Sequence, residues 1–550
     1  MVSSFQDGDP SIGHGRGYGP SHHNGDLQGI INALDYIKDL GFNAIWMTPI
    51  FESSIQDKQL SSTGYYPNNY FNIDPHFGTT DKFRELVQAA HNKGIYIILD
   101  GVFGHHGENV KTSPKGNTIT DKDGTHVKYP ESLEFFKEVA QYWIDNYEID
   151  GWRLDVAKEL VPPDQNGNYL HDIRKAVEEV SDRRRNEGKQ WGILGYVVGE
   201  YWASLGDIKN NAYSGDTPAL RSAFDFPFRY NIVQSLAQDE NGDTQSSMIN
   251  AIKDVHRTPY DKTYGRDDIY PNLFFSNHDL YRFGNLLRMR HGLTQNDDDY
   301  WRYHKIAIAT LAVYTGPITL YYGDEIGEIT ECWYGKDNNQ CGETKDIVRT
   351  DDSSNARTNG RISGFTPKQT ELHDFTRELM NARLNHPSMW RGTNGKTTQG
   401  DVYFNCKYDP VTGDKVVFIT NFAKTQNPVH YQVGGVKLYD LVTKEVIYSY
   451  ENGGKYYIPL GPLETRVFQV FDEDVEVTVT VQADCAAQQE IIASEKQNSD
   501  KKVIIVIAIA SVVVVIVIVV AVAVVLRMKR KYAQELRDAK SNPLVDMSLE

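Results

Sequence analysis

Cysteine is scarce. Four in 550 residues, with no Cys-x-x-Cys pair, exclude a disulfide-dense scaffold and a multi-zinc protein. Positive charge is also short, with 57 basic against 74 acidic side chains and a net charge of −17. Such a balance does not hold a phosphate backbone, so nucleic acid is excluded as a partner. No Gly-x-Gly-x-x-Gly turn follows an early strand, which argues against a doubly wound dinucleotide fold, and no organic cofactor is expected. There is no His-x-x-x-His spacing for a helical metal site and no Asn-x-Ser/Thr acceptor for glycosylation. The opening MVSSFQDGDP has neither the basic nor the apolar stretch of an export signal.

Long hydrophobic runs are absent but for one. Residues 503–526 carry no charge, and Ser511 is their single polar side chain. At about 1.5 Å per helical residue this run spans a bilayer core. Lys501 and Lys502 precede it; Arg527, Lys529, Arg530 and Lys531 follow. The heavier basic flank predicts a single-pass plasma-membrane protein, anchored in the lipid bilayer through 503–526. Its stalk would be 473–502, its cytoplasmic tail 527–550, and its main domain would lie outside. That topology requires an export signal upstream of Met1.

The remaining composition, 40% hydrophobic and 11% aromatic, is globular. Over residues 1–392, helical stretches such as Ile30, Leu34, Ile37, Leu40 alternate with short apolar runs at Ala44–Met47, Ile95–Leu99, Trp152–Leu154, Tyr196–Val198, Leu273–Phe275 and Ile318–Tyr322. Alternation of this kind predicts an α/β fold, a (β/α)8 TIM barrel. Residues 104–131 read as a polar insertion after its third strand, and 396–472 as a C-terminal antiparallel β domain.

Four apolar runs end in carboxylates, at Asp100, Asp155, Glu200 and Asp279. The C-terminal strand ends of a β/α barrel share one mouth, so these acids are expected to converge. Arg153 lies two residues before Asp155, on the same face of a strand, and would keep it ionised. Glu200 follows an apolar run that would raise its pKa. One ionised and one protonated carboxyl are what retaining glycoside hydrolysis needs. His105 and His278 stand beside two of the acids. A metal site built from these His and Asp residues is the weaker reading, for want of ligand spacing.

These residues carry a resemblance. DGVFGH at 100–105, GWRLDVAKE at 151–159, GEYW at 199–202, SNHD at 276–279 and GYYPNNY at 64–70 resemble, in order, motifs of the α-amylase family of glycosidases over about 5–470. The resemblance implies Asp155 as nucleophile, Glu200 as proton donor and Asp279 as the third acid. Tyr65, Asp100, His105, Arg153, Lys158 and His278 are implied on the substrate side. The implied activity is hydrolysis of α-glucans or maltooligosaccharides at a membrane surface. Glucanotransfer is a close alternative, and a non-catalytic sugar-binding or partner subunit is one from another class. Gly104 and Glu159 depart from the family's usual Asn and His, which help hold a structural calcium in many members. A second calcium pattern is implied at Asp7, Asp9 and Asp26, whose oxygens on a Gly-rich loop would suit Ca²⁺. Family members also have a full strand before Phe5, so the first barrel strand is expected to be truncated here, leaving two open edges. Cys332 and Cys341 bracket a loop that a disulfide would staple.

Overall fold

The computed structural model describes residues 1–14, 24–55, 63–162, 167–214, 218–237, 245–256, 268–329, 334–335, 338–339, 358–450 and 454–473. The strands are β1 (Ala44–Met47), β2 (Phe51–Ser53), β3 (Pro67–Ile73), β4 (Tyr96–Gly101), β5 (Gly151–Leu154), β6 (Tyr196–Gly199), β7 (Ser222–Ala223), β8 (Leu273–Phe274) and β9 (Ile318–Thr319). β1, β4, β5, β6 and β7 pair in parallel in that order. A parallel bridge from Phe224 to Asn272 carries the wall on to β8, which pairs with β9. Among the described residues this arc has β1 at one end and β9 at the other. Ala44 at the β1 end is exposed, and Ile318 and Thr319 are only half-buried.

Helices cover the outer face. Leu27–Asp39 starts where the Asp26 side chain accepts from the Gly29 amide, and Thr80–Asn92 where Thr79 accepts from Lys82. The helix Leu133–Tyr147 buries Phe136, Val139, Ala140, Trp143 and Ile144 at helical spacing, so one face packs on the wall. β2 and β3 form an antiparallel hairpin that the short apolar runs did not reveal. The segment after β4 is pinned from within. The Tyr70 hydroxyl donates to the carbonyls of Val102 and His105, each at 2.9 Å, and Tyr129 donates to Phe103 at 2.8 Å. It carries two antiparallel bridges, His105 to His126 and Asp121 to Val127.

After a small ribbon of β10 (Tyr334–Gly335) and β11 (Asn338–Asn339), the chain builds a C-terminal antiparallel domain. It comprises β12 (Thr393–Gln399), β13 (Val402–Tyr408), β14 (Lys415–Asn421), β15 (Val429–Gln432), β16 (Lys437–Asp440), β17 (Val446–Tyr448), β18 (Lys455–Ile458) and β19 (Thr465–Phe471). Six of these form one sheet in the order β12-β13-β14-β19-β16-β17. Tyr403, Val416 and Phe418 share a core with the helix Asp298–Ala312. Buried Lys407 donates to the Val313 carbonyl at 2.7 Å and the Thr315 hydroxyl at 2.6 Å, fastening sheet to barrel.

The single-pass membrane topology needs correction. No helix among the described residues is long and apolar enough to cross a membrane. The longest, Pro367–Asn385, carries Lys368, Glu371, Asp374, Arg377, Glu378 and Arg383. The 503–526 run, the tail and the stalk beyond residue 473 lie outside the described residues, as do Cys332 and Cys341.

Candidate active site

The register of the parallel wall brings the acids together. Asp100 on β4 is the direct partner of Arg153 on β5, and Arg153 of Val198 on β6. Alternation along each strand then aims Asp100, Arg153, Asp155 and Glu200 to the same side. Main-chain bonds continue the register past the strand ends: Asp155 N donates to Gly101 O at 3.0 Å, and Glu200 N to Leu154 O at 2.9 Å.

One guanidinium organises the cluster. Arg153 Nη1 lies 2.8 Å from both Asp100 oxygens and 2.7 Å from Asp155 Oδ1, and its Nη2 is 3.0 Å from Glu200 Oε2. It is wholly buried, and its ring-facing side lies 4.9 Å from the centre of Trp46. The sequence showed no basic neighbour for Glu200; the second arm of Arg153 supplies one. Val156, between the acids, has φ 38° and ψ 51°, a left-handed conformation that is strained for a β-branched residue. That turn aims its N–H at Glu200 Oε2, 3.0 Å away.

Burial pushes the Glu200 carboxyl up to about 8; Arg153 opposes this, and the charges of Asp155 and Asp279 reinforce it. Burial also raises Asp100, to about 7, against the pull of Arg153. Asp100 Oδ2 additionally accepts from the Tyr65 hydroxyl at 2.8 Å and from Trp46 Nε1 at 3.3 Å. These donors, with Arg153, oppose the burial that raises it.

Tyr65 stacks on His278, with ring centres 5.5 Å apart and planes 7° from parallel. The Tyr65 hydroxyl also lies 2.8 Å from His278 Nε2, which faces Asp279 Oδ2 at 3.0 Å. His105 bridges two acids, with Nδ1 3.2 Å from Glu159 Oε2 and Nε2 3.7 Å from Asp155 Oδ2. Burial opposes its charge, but the Glu159 hydrogen bond and the Asp155 charge raise its pKa overall. Lys158 is exposed on the turn Ala157–Leu160. It lines a cavity of about 1030 Å³ with Glu159, His126, Asn168, Tyr201 and Trp202, beside the acids.

Thus the expected residues Tyr65, Asp100, His105, Arg153, Asp155, Glu200, His278 and Asp279 come together, with Lys158 at the edge. Trp46, Val156 and Glu159 were not singled out as contributors. A tryptophan on the strand neighbouring Asp100 was the available signal for the first; nothing local signals the strained turn. Asp7, Asp9 and Asp26 do not converge among the described residues. Asp26 caps a helix and accepts from the amides of Gly8 and Asp9, while Asp9 Oδ1 accepts from Ser11. Among the described residues these contacts form a helix cap and a turn.

The family model for the α-amylase catalytic domain matches residues 1–132 and 122–383. The chain belongs to the α-amylase family. Its curated relatives carry the enzyme names cyclomaltodextrinase, maltogenic amylase and neopullulanase. A cyclomaltodextrinase of Thermoanaerobacter pseudethanolicus is 31% identical over 358 residues, 58% of this chain and 54% of that protein. An intracellular maltogenic amylase of Bacillus subtilis is 30% identical over 338 residues, 55% of this chain and 49% of that protein. The chain thus spans about half the length of these curated relatives. The crystal structure of AmyP in complex with maltose is 37% identical, with a TM-score of 0.75, covering 86% of this chain and 96% of AmyP. An AmyP variant has been solved with maltotriose. The family carries the barrel and C-terminal β domain that the resemblance implied.

Proposed function

We propose that this protein hydrolyses α-glucosidic bonds in maltooligosaccharides or related α-glucans with retention of configuration. The observation that carries this reading is the shared guanidinium. Arg153 donates to Asp155 at 2.7 Å while Glu200, on its other arm, is pushed up to about 8 and so holds its proton at neutral pH. Asp155 attacks the anomeric carbon as the Glu200 proton passes to the departing glycosidic oxygen. Glu200, now a carboxylate, takes a proton from water as that water displaces Asp155 and releases the sugar. Asp279, with His278 and Tyr65, holds the hydroxyls of the reacting sugar. His105, polarised by Glu159, steadies the outer oxygen of Asp155. The half-exposed face of Trp202, backed by Phe226 at 4.9 Å, suits the apolar face of a further sugar in that cavity.

The relatives' names and the AmyP complexes with maltose and maltotriose support this substrate class. The test is proton NMR of maltotriose cleavage. Initial release of α-anomers, and a loss of roughly 10²–10⁴-fold in rate in Glu200→Gln, are expected. Initial β-anomers, or equal rates in parent and variant, would refute it.

A further inference from the structure

Away from the acids, two histidines meet over one buried carboxylate. Asp74 follows β3 in a turn fixed on both sides: its amide donates to Ile50 O at 2.9 Å, and its carbonyl accepts from Phe77 at 2.9 Å. Its side chain is almost fully buried. His76 Nδ1 lies 2.7 Å from Asp74 Oδ1. His14 reaches the other oxygen from the N-terminal segment, with Nε2 3.1 Å from Oδ2. The two imidazoles stack at 4.2 Å and 28°, and His14 rests edge-on against Phe77 at 5.0 Å. The three candidate ligand atoms lie within 4.8 Å of one another. His14 Nε2 is buried yet has no partner at hydrogen-bonding geometry.

We propose that His14, Asp74 and His76 bind a zinc-class divalent cation through His14 Nε2, one Asp74 oxygen and His76 Nδ1. Two imidazoles and a carboxylate are a ligand set for Zn²⁺ or its neighbours; Ca²⁺ and Mg²⁺ prefer all-oxygen cages. Bonds of about 2.0–2.2 Å around a tetrahedral ion need ligand atoms a little over 3 Å apart. The ligand atoms already lie within 4.8 Å of one another, and binding would turn the two rings out of their stack so that both nitrogens face one ion. His76 is 54% exposed, so the remaining coordination position faces water.

The consequence is a cross-link. His14 closes a segment whose Val2 and Phe5 are buried in the barrel core, and Asp74 and His76 belong to the turn that launches the helix Thr80–Asn92. An ion there ties the N-terminal segment to the barrel across some sixty residues, a tether whose strength is the ion's binding free energy.

The test uses the full chain stripped with EDTA. Titration with Zn²⁺ should give one specific site and raise the Tm by several degrees, with no such effect from Ca²⁺ or Mg²⁺. Affinity should fall at least tenfold in His14→Ala and in His76→Ala. Circular dichroism checks that both variants fold; exposed His76 also allows His76→Gln. Co²⁺ in the site should show the intense visible absorption of a tetrahedral ion, absent in His76→Gln. Unchanged zinc stoichiometry and affinity in the folded His14→Ala/His76→Ala protein would overturn the proposal. So would the absence of any zinc-dependent shift in Tm, or an equal shift with Ca²⁺.

Discussion

Glu159 occupies the space that any side chain at position 104 would need. A β-carbon on Gly104 would lie 2.0 Å from Glu159 Oε2 and 2.5 Å from Glu159 Cβ. The two departures from the family pattern are therefore one feature. Glycine makes room for a carboxylate, which in turn holds His105 Nδ1 at 3.2 Å. Because Glu159 Cβ is also in the way, rotating the far end of the side chain does not relieve the clash. Gly104→Asn should destabilise the protein by about 1–3 kcal/mol, the usual range for overpacking, and should also slow maltotriose cleavage. Adding Glu159→Ala should recover most of the stability, as chemical denaturation of the single and double variants would reveal.

The same contact has a pH signature. The folded-state pKa of His105 is raised, so the stability it lends is complete below the ordinary imidazole pKa and is lost as pH rises through the folded value. Glu159→Gln removes the leading cause of that increase. Carbon-detected or proton NMR titration of His105 should show its pKa fall in this variant. An unchanged titration would break the link between the two residues.

Arg153 opposes three buried carboxylates at once. Arg153→Met leaves them facing one another and should cost about 3–5 kcal/mol in urea unfolding. Arg153→Lys should rescue little of this, since an ammonium on a flexible stem cannot reach the acids with the two arms of a planar fork. A loss below about 1 kcal/mol in Arg153→Met would mean that the charges are neutralised some other way.

For Glu200 the sign is that of a raised acid. Its carboxyl rises from 4.5 to about 8, so the folded state holds the proton more tightly than the unfolded chain. Stability from this group is full below the ordinary value and declines as pH climbs to about 8. Glu200→Gln is neutral throughout. Its Tm advantage over the parent should therefore widen between about pH 5 and 8 and level off above, while the parent's kcat/KM falls as pH passes about 8. A Tm difference independent of pH would contradict the assignment.

Much of this was legible in the chain. The run Ala44–Met47 coincides with β1, and the runs before Asp100, Asp155 and Glu200 coincide with strands to within a residue or two, because the strands of a parallel wall write themselves as apolar blocks. Convergence of the acids followed from strand-end geometry alone. The hairpin of β2 and β3 escaped because three Asn interrupt the apolar residues of PNNYFNI and its partner is three residues long. β7 escaped because two residues leave no pattern. The second arm of Arg153 on Glu200 joins β5 to β6, a contact set by register that no local window contains. Asp26 carries a second role that the sequence reading did not include: the helix beginning at Leu27 uses its carboxylate as a cap. Hydrophobicity at 503–526 led to a membrane topology that the described structure does not support.

The central claim is that Asp155 forms the bond to sugar while Glu200 moves the proton. An α-maltosyl fluoride needs no acid to lose fluoride, so in Glu200→Gln the first step should proceed and the second should stall. Rapid quenching, proteolysis and peptide mass spectrometry should then find a maltosyl ester on the peptide carrying Asp155, and none in Asp155→Asn. An adduct on another residue, or turnover of the fluoride to β-maltose with no adduct at all, would contradict it.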